Sequence, residues 1–123
     1  MARPRLGGQA NLAALLPHRG EFGGIVTNLA REIEIAGVAV RLDSPVTPDL
    51  IAHERPDVVI LATGSEPQMP PFERGEGVQI VNMEDVITGR VKTGASVVVY
   101  DWLADWIGIG VSEKLASEGA HVR

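Results

Sequence analysis

Val97-Val98-Val99-Tyr100 is a run of β-branched and aromatic residues that reads as a buried strand. Ile107 to Glu118 then carries a helical pattern, and Ala120-His121-Val122 opens another strand. Strand, helix and strand in so short a stretch constrain the fold strongly. The two strands lie parallel, joined by a right-handed crossover helix. In folds made of such units, a glycine-rich turn after the first strand lets the backbone approach a pyrophosphate at the helix N-terminus. Here that turn is Asp101-Trp102-Leu103-Ala104-Asp105-Trp106-Ile107-Gly108, with bulk and negative charge where phosphate would sit. The layout is that of a nucleotide fold, yet the turn opposes phosphate.

Asp101 and Asp105 fall at the positive end of the helix dipole, which is worth about 0.3–1 kcal/mol to a carboxylate. They can supply from within the negative charge that a bound phosphate would otherwise bring. Trp102 and Trp106 add volume that a tight glycine turn does not admit. The turn therefore reads as scaffold. The functional alternative is that its carboxylates meet a cationic partner, or that its tryptophans form a docking surface.

The rest of the chain continues the alternation. Leu6 to Gly20 reads as a loop with a helical piece around Ala10 to Leu16. Phe22, Ile25, Val26, Leu29 and Ile33 follow helical spacing from Glu21, and Gly37 closes that helix. Val38 to Leu42 alternates as a strand. Thr47-Pro48-Asp49 has the N-cap and first-position proline of a short helix running to about His53. Val58-Val59-Ile60-Leu61-Ala62 is a continuous apolar run of the kind buried on both faces of a parallel sheet.

Glu66 to Gly77, rich in Pro and Gly, is a linker candidate. Val78 to Val81 reads as a short strand, and Met83 to Thr88 as a short helix ended by Gly89. The expectation is an α/β, Rossmann-like open and mainly parallel sheet flanked by helices. Residues 1–65 form the remnant of a first module, 66–77 the linker, and 78–123 the start of a second module.

Composition narrows the function classes. With 45% hydrophobic but only 4% aromatic residues, the core must be built from Val, Ile, Leu and Ala. A net charge of −5 argues against nucleic acid and anionic membrane surfaces as partners. No long apolar run exists to span a bilayer. The absence of cysteine excludes disulfides, a thiol nucleophile and an iron–sulfur cluster held by this chain. Met1-Ala2-Arg3-Pro4-Arg5 lacks the apolar stretch of a secretory signal, so a cytoplasmic setting is expected. His18, His53 and His121 lack metal-ligand spacing, and Arg31, Glu32 and Glu34 read as a solvated helix face.

Two glycine segments remain as candidate sites. Ala62-Thr63-Gly64-Ser65 falls beyond the carboxyl end of a strand, where open α/β sheets bind ligands. Gly64 permits close backbone approach, and the hydroxyls of Thr63 and Ser65 can reach a phosphate or ribose. A simple strand-ending turn would need the same glycine. Leu6-Gly7-Gly8-Gln9 offers backbone amides to an anion or a cofactor edge, or else a flexible turn.

These segments, in this order and followed by Tyr100-Asp101 and Ile107-Gly108, carry a resemblance over nearly the whole chain. The sequence resembles the C-terminal nucleotide-binding half of multidomain flavin oxidoreductases related to trimethylamine dehydrogenase, histamine dehydrogenase and 2,4-dienoyl-CoA reductase. The Tyr-Asp pair is similar to the dehydrogenase and demethylase-like branch. The resemblance implies that Gly7, Gly8, Gln9, Ala62, Thr63 and Gly64 lie near a bound ADP or FAD, with Val46 a backbone contact to adenine. It implies no catalytic residue in this segment.

In the parent protein, FMN would sit in a separate barrel, a 4Fe-4S cluster in a cysteine-rich segment, and the missing domains would be this segment's partners. Met1 stands about where the family has an acidic residue near the adenosine ribose. Leu103 and Asp105 depart from the glycine pattern of the NAD(P)H module. On this resemblance the chain is an excised segment, truncated within the fold at both ends, and is expected to self-associate through open strand edges.

Overall fold

The computed structural model describes residues 4–73 and 75–123. The position expected to correspond to the acidic residue, Met1, lies outside the described residues. Among the described residues, five helices and two short strands follow in chain order: α1 (Ala10–Ala13), α2 (Glu21–Ile35), α3 (Pro48–Glu54), α4 (Met83–Ile87), β1 (Ser96–Val97), α5 (Trp106–Ser117) and β2 (His121–Val122).

The helix ends follow from local chemistry. Thr47 Oγ1 accepts the Leu50 N–H at 3.2 Å and Pro48 follows at the first turn, as the sequence pattern predicts for α3. Asn82 Oδ1 caps α4 through the Asp85 N–H at 2.9 Å. Asp105 caps α5 through the Ile107 N–H at 2.8 Å. Helix α5 therefore starts at Trp106, one residue before the sequence-based start.

At the far ends, α2 and α5 close in the same way. The Val38 N–H reaches the Ile33 carbonyl past Gly37, and the Ala120 N–H reaches the Leu115 carbonyl past Gly119. Gly37 and Gly119 have φ of 68° and 93°, the left-handed conformation this double-bonded ending requires.

Strands β1 and β2 pair in parallel, Ser96 against His121 and Val97 against Val122. Pairing extends past the assigned ends: the His121 N–H donates to the Ala95 carbonyl at 2.8 Å, and the Val99 N–H donates to the Arg123 carbonyl at 2.8 Å. With α5 between them, these strands form the expected βαβ unit. A mixed architecture of helices and one small parallel sheet results.

The other three expected strands, 38–42, 58–62 and 78–81, have no ladder among the described residues. The expectation that Val58 to Ala62 is buried on both faces is corrected most sharply. Val58, Val59, Ile60 and Leu61 are 75, 47, 85 and 83% exposed. A strand is completed only by neighbours that take up its N–H and C=O groups, and the described residues supply none here.

The core is small and lies around α5. Leu16, Val86, Ile87, Val111 and Leu115 are buried together, with Val97, Val99, Ile107 and Val122 packed against them. Leu16 comes from the segment after α1 and sits on Gly110 of α5, where an added Cβ would lie 2.9 Å from Leu16 Cδ1. Beside it, Phe22 stacks on Trp106 at 5.6 Å between ring centroids, and the Arg19 guanidinium lies 5.5 Å from the same ring. The helical spacing of α2 is borne out, but none of its residues is buried; Ile25 and Leu29 are 52 and 57% exposed.

Candidate functional site

The two glycine segments, far apart in sequence, meet through one side chain. Gln9 Nε2 donates to the Ser65 carbonyl at 3.0 Å and to Ser65 Oγ at 3.1 Å. The turn before α1 is thereby tied to the turn after Ala62. No spacing rule announces this contact, because its partners are 56 residues apart.

The glycines within these turns do different things. Gly7 has φ of 101°, and a Cβ there would lie 2.6 Å from both Val26 Cγ1 and Asn11 Nδ2. Its space is taken by α2, so Gly7 serves packing rather than an open cofactor edge. Gly8 (φ 47°) and Gly64 (φ 75°) have no heavy atom of the described residues within 4 Å of such a Cβ. Both are left-handed, and both face open space.

A direct consequence separates the neighbouring glycines. Gly7→Ala is expected to destabilise the chain by about 2–4 kcal/mol, combining left-handed strain with a collision against Val26. Gly8→Ala meets only the strain, about 1–2 kcal/mol. Urea midpoints of the two variants test this, and equal midpoints would contradict the assignment of Gly7 to packing.

Ala62 and Thr63 are exposed beside Gly64. Val46 is 70% exposed, in the segment leading to α3. The fold thus joins Gly8, Gln9, Gly64 and Ser65 into one locale, and leaves Val46 as a separate exposed position.

An open cleft of about 960 Å³ runs from Gln9 and Ser65 to the carboxyl end of β1. Phe72 and Tyr100 meet edge to face at 5.0 Å on its wall, and Trp102 lies tilted 6.4 Å from Tyr100. At the β1 end, Asp101 Oδ1 accepts the Leu103 N–H at 3.0 Å and the Ala104 N–H at 2.9 Å. Of the two tryptophans, Trp102 is 78% exposed, whereas Trp106 is 38% exposed and covered by Phe22 and Arg19. Sequence spacing treats them alike; only the fold separates a free surface ring from one packed against its neighbours.

Among the described residues, no helix is long and apolar enough to cross a membrane. No protein-family model matches the chain. The chain is 34% identical, over 98% of its length, to the N,N-dimethylglycine/sarcosine dehydrogenase of Chromohalobacter salexigens. It is 32% identical, again over 98% of its length, to the NADH oxidase of Thermoanaerobacter brockii. A solved 2-naphthoyl-CoA reductase in complex with 2-naphthoyl-CoA matches 98% of the chain with a TM-score of 0.83 and 28% identity. The chain spans only 18% of that reductase, and 18% and 19% of the two enzymes. Along almost its whole length, this chain is similar to one limited segment of several much longer oxidoreductases.

Proposed function

We propose that the chain is a nucleotide-fold segment of a flavin-dependent oxidoreductase, of the amine dehydrogenase or demethylase-like kind, and contributes part of an ADP or FAD site. The observation that carries this reading is the pair of open, left-handed glycines, Gly8 and Gly64, in turns tied together by Gln9 and Ser65. Left-handed glycines with free space above them let a ligand's phosphates or ribose approach the backbone closely. Gly7, Ala62 and Thr63 shape the same turns, and Val46 is a more distant candidate contact to adenine.

In this reading FMN and the 4Fe-4S cluster belong to missing parts of the parent chain, which supply the oxidation chemistry. The segment's own residues bind and orient. With the oxidation chemistry assigned to those parts, the isolated chain is expected to be inactive toward amines. Turnover of an amine by the purified chain contradicts this.

A second reading, a vestigial nucleotide fold serving as a structural or interaction module, draws on Trp106. Its stacking with Phe22 and Arg19 makes the βαβ unit a support for the segment after α1. Titration with ADP, FAD and NADH, followed by tryptophan fluorescence and calorimetry, separates the readings. The nucleotide-site reading expects saturable ADP or FAD binding that Gly64→Val weakens about tenfold or more, since valine fills the approach and resists the left-handed φ. No heat and no fluorescence response to any of the three favours the structural module.

A further inference from the structure

Asp101 and Asp105 occupy the place where a βαβ unit of this layout receives phosphate. Asp101 Oδ1 takes the N–H groups of Leu103 and Ala104, and Asp105 Oδ1 takes that of Ile107 at the start of α5. The Asp101 side chain also lies across Gly108: a Cβ there would be 2.7 Å from Asp101 Cγ and closer still to the carboxylate oxygen. Gly108 thus makes room for the chain's own carboxylate. A glycine in this frame ordinarily makes room for a ligand's pyrophosphate.

An independent observation points the same way. The cleft onto which this turn opens is lined by the carboxylates of Glu66, Asp101 and Asp105, and by no Lys, Arg or His among its described residues. Phosphate entering there meets like charge, finds no counter-charge among the described residues, and finds the amides of Leu103, Ala104 and Ile107 already engaged.

We propose that Asp101 and Asp105 are specificity determinants that close the βαβ unit of β1, α5 and β2 to nucleotide phosphates, including those of NAD(P)H. The proposal is separate from any nucleotide site at Gly8 and Gly64 and does not depend on one.

The test uses inorganic pyrophosphate as the probe and the 123-residue chain itself. In the unsubstituted protein, the backbone amide resonances of Leu103, Ala104 and Ile107 are expected to stay in place as pyrophosphate is added. Movement of these three resonances with saturation overturns the proposal, whatever happens at other glycines. The converse arm frees the seat. Asp101→Gly releases two amides and uncovers Gly108, and Asp105→Ser keeps a neutral N-cap on α5. This double variant is expected to bind pyrophosphate about tenfold or more tightly than the parent, with the gain reported by those amides. A double variant with α5 intact by circular dichroism, yet without gain, also overturns it. If the double variant fails to fold, the amide measurement on the unsubstituted chain decides.

Discussion

Replacing both Ile60 and Leu61 with lysine is expected to suppress the self-association that the exposed apolar run invites. These two side chains are 85 and 83% exposed, in an apolar run whose backbone has no ladder partner among the described residues. Burying one such side chain is worth about 1.5–3 kcal/mol, so a second copy gains several kcal/mol by covering both. Strand edges of this kind invite pairing, and lysine is a side chain that blocks it. Sedimentation equilibrium is expected to show concentration-dependent association of the unsubstituted chain. The double lysine variant should weaken that association about a hundredfold or more. A clean monomer at high concentration for the unsubstituted chain would count against the whole idea.

The second large effect concerns Leu115. It is 1% exposed and sits at the centre of the small cluster around α5. Leu115→Ala removes buried methyl groups where little surrounding structure can close in, costing about 2–5 kcal/mol. Domains of this size have only about 5–15 kcal/mol to lose, and a cluster of so few buried side chains places this chain low in that range. Far-UV circular dichroism in urea is expected to show the variant's midpoint shifted far toward zero denaturant. Leu42→Ala, at a position 45% exposed, serves as the contrast and should shift the midpoint little. Equal shifts for the two variants would place the stabilising core elsewhere.

These outcomes follow from what was legible in the sequence and what was not. Helices were legible because their signals are local. Thr47-Pro48 marks the start of α3, Gly37 marks the end of α2, and each signal acts within a turn or two of the residues it governs. The βαβ unit was legible for the same reason, since its helix brings its own two strands together. Burial was not legible. The run at 58–62 has the composition of a central strand, but composition states what a segment requires and cannot supply the neighbours. The side of α2 bearing Ile25 and Leu29 is another case, a helix face with its pattern intact and its cover absent.

At the candidate site, the sequence singled out the glycines but did not show how their surroundings differ. Gly7 and Gly8 are adjacent and look interchangeable, yet one is pressed against Val26 and the other faces open space. The Gln9–Ser65 tie joins elements that no periodicity relates. Asp101 and Asp105 were better foreseen, because charge at a helix N-terminus is a local argument. The fold adds the division of labour: Asp105 caps α5, while Asp101 holds the turn before it.

The contact of Leu16 with Gly110 carries a consequence for how the chain comes apart. Leu16 precedes the largely exposed Pro-rich stretch near Pro67 to Pro71, while Val86, Val111 and Leu115 follow it, and all four share one cluster. A protease that nicks the stretch would therefore leave two peptides gripping each other through Leu16 and the Phe22–Trp106 stack. They should elute together from a sizing column and separate only in denaturant. A chain with this property can be supplied as two complementary pieces, each incomplete until it meets the other.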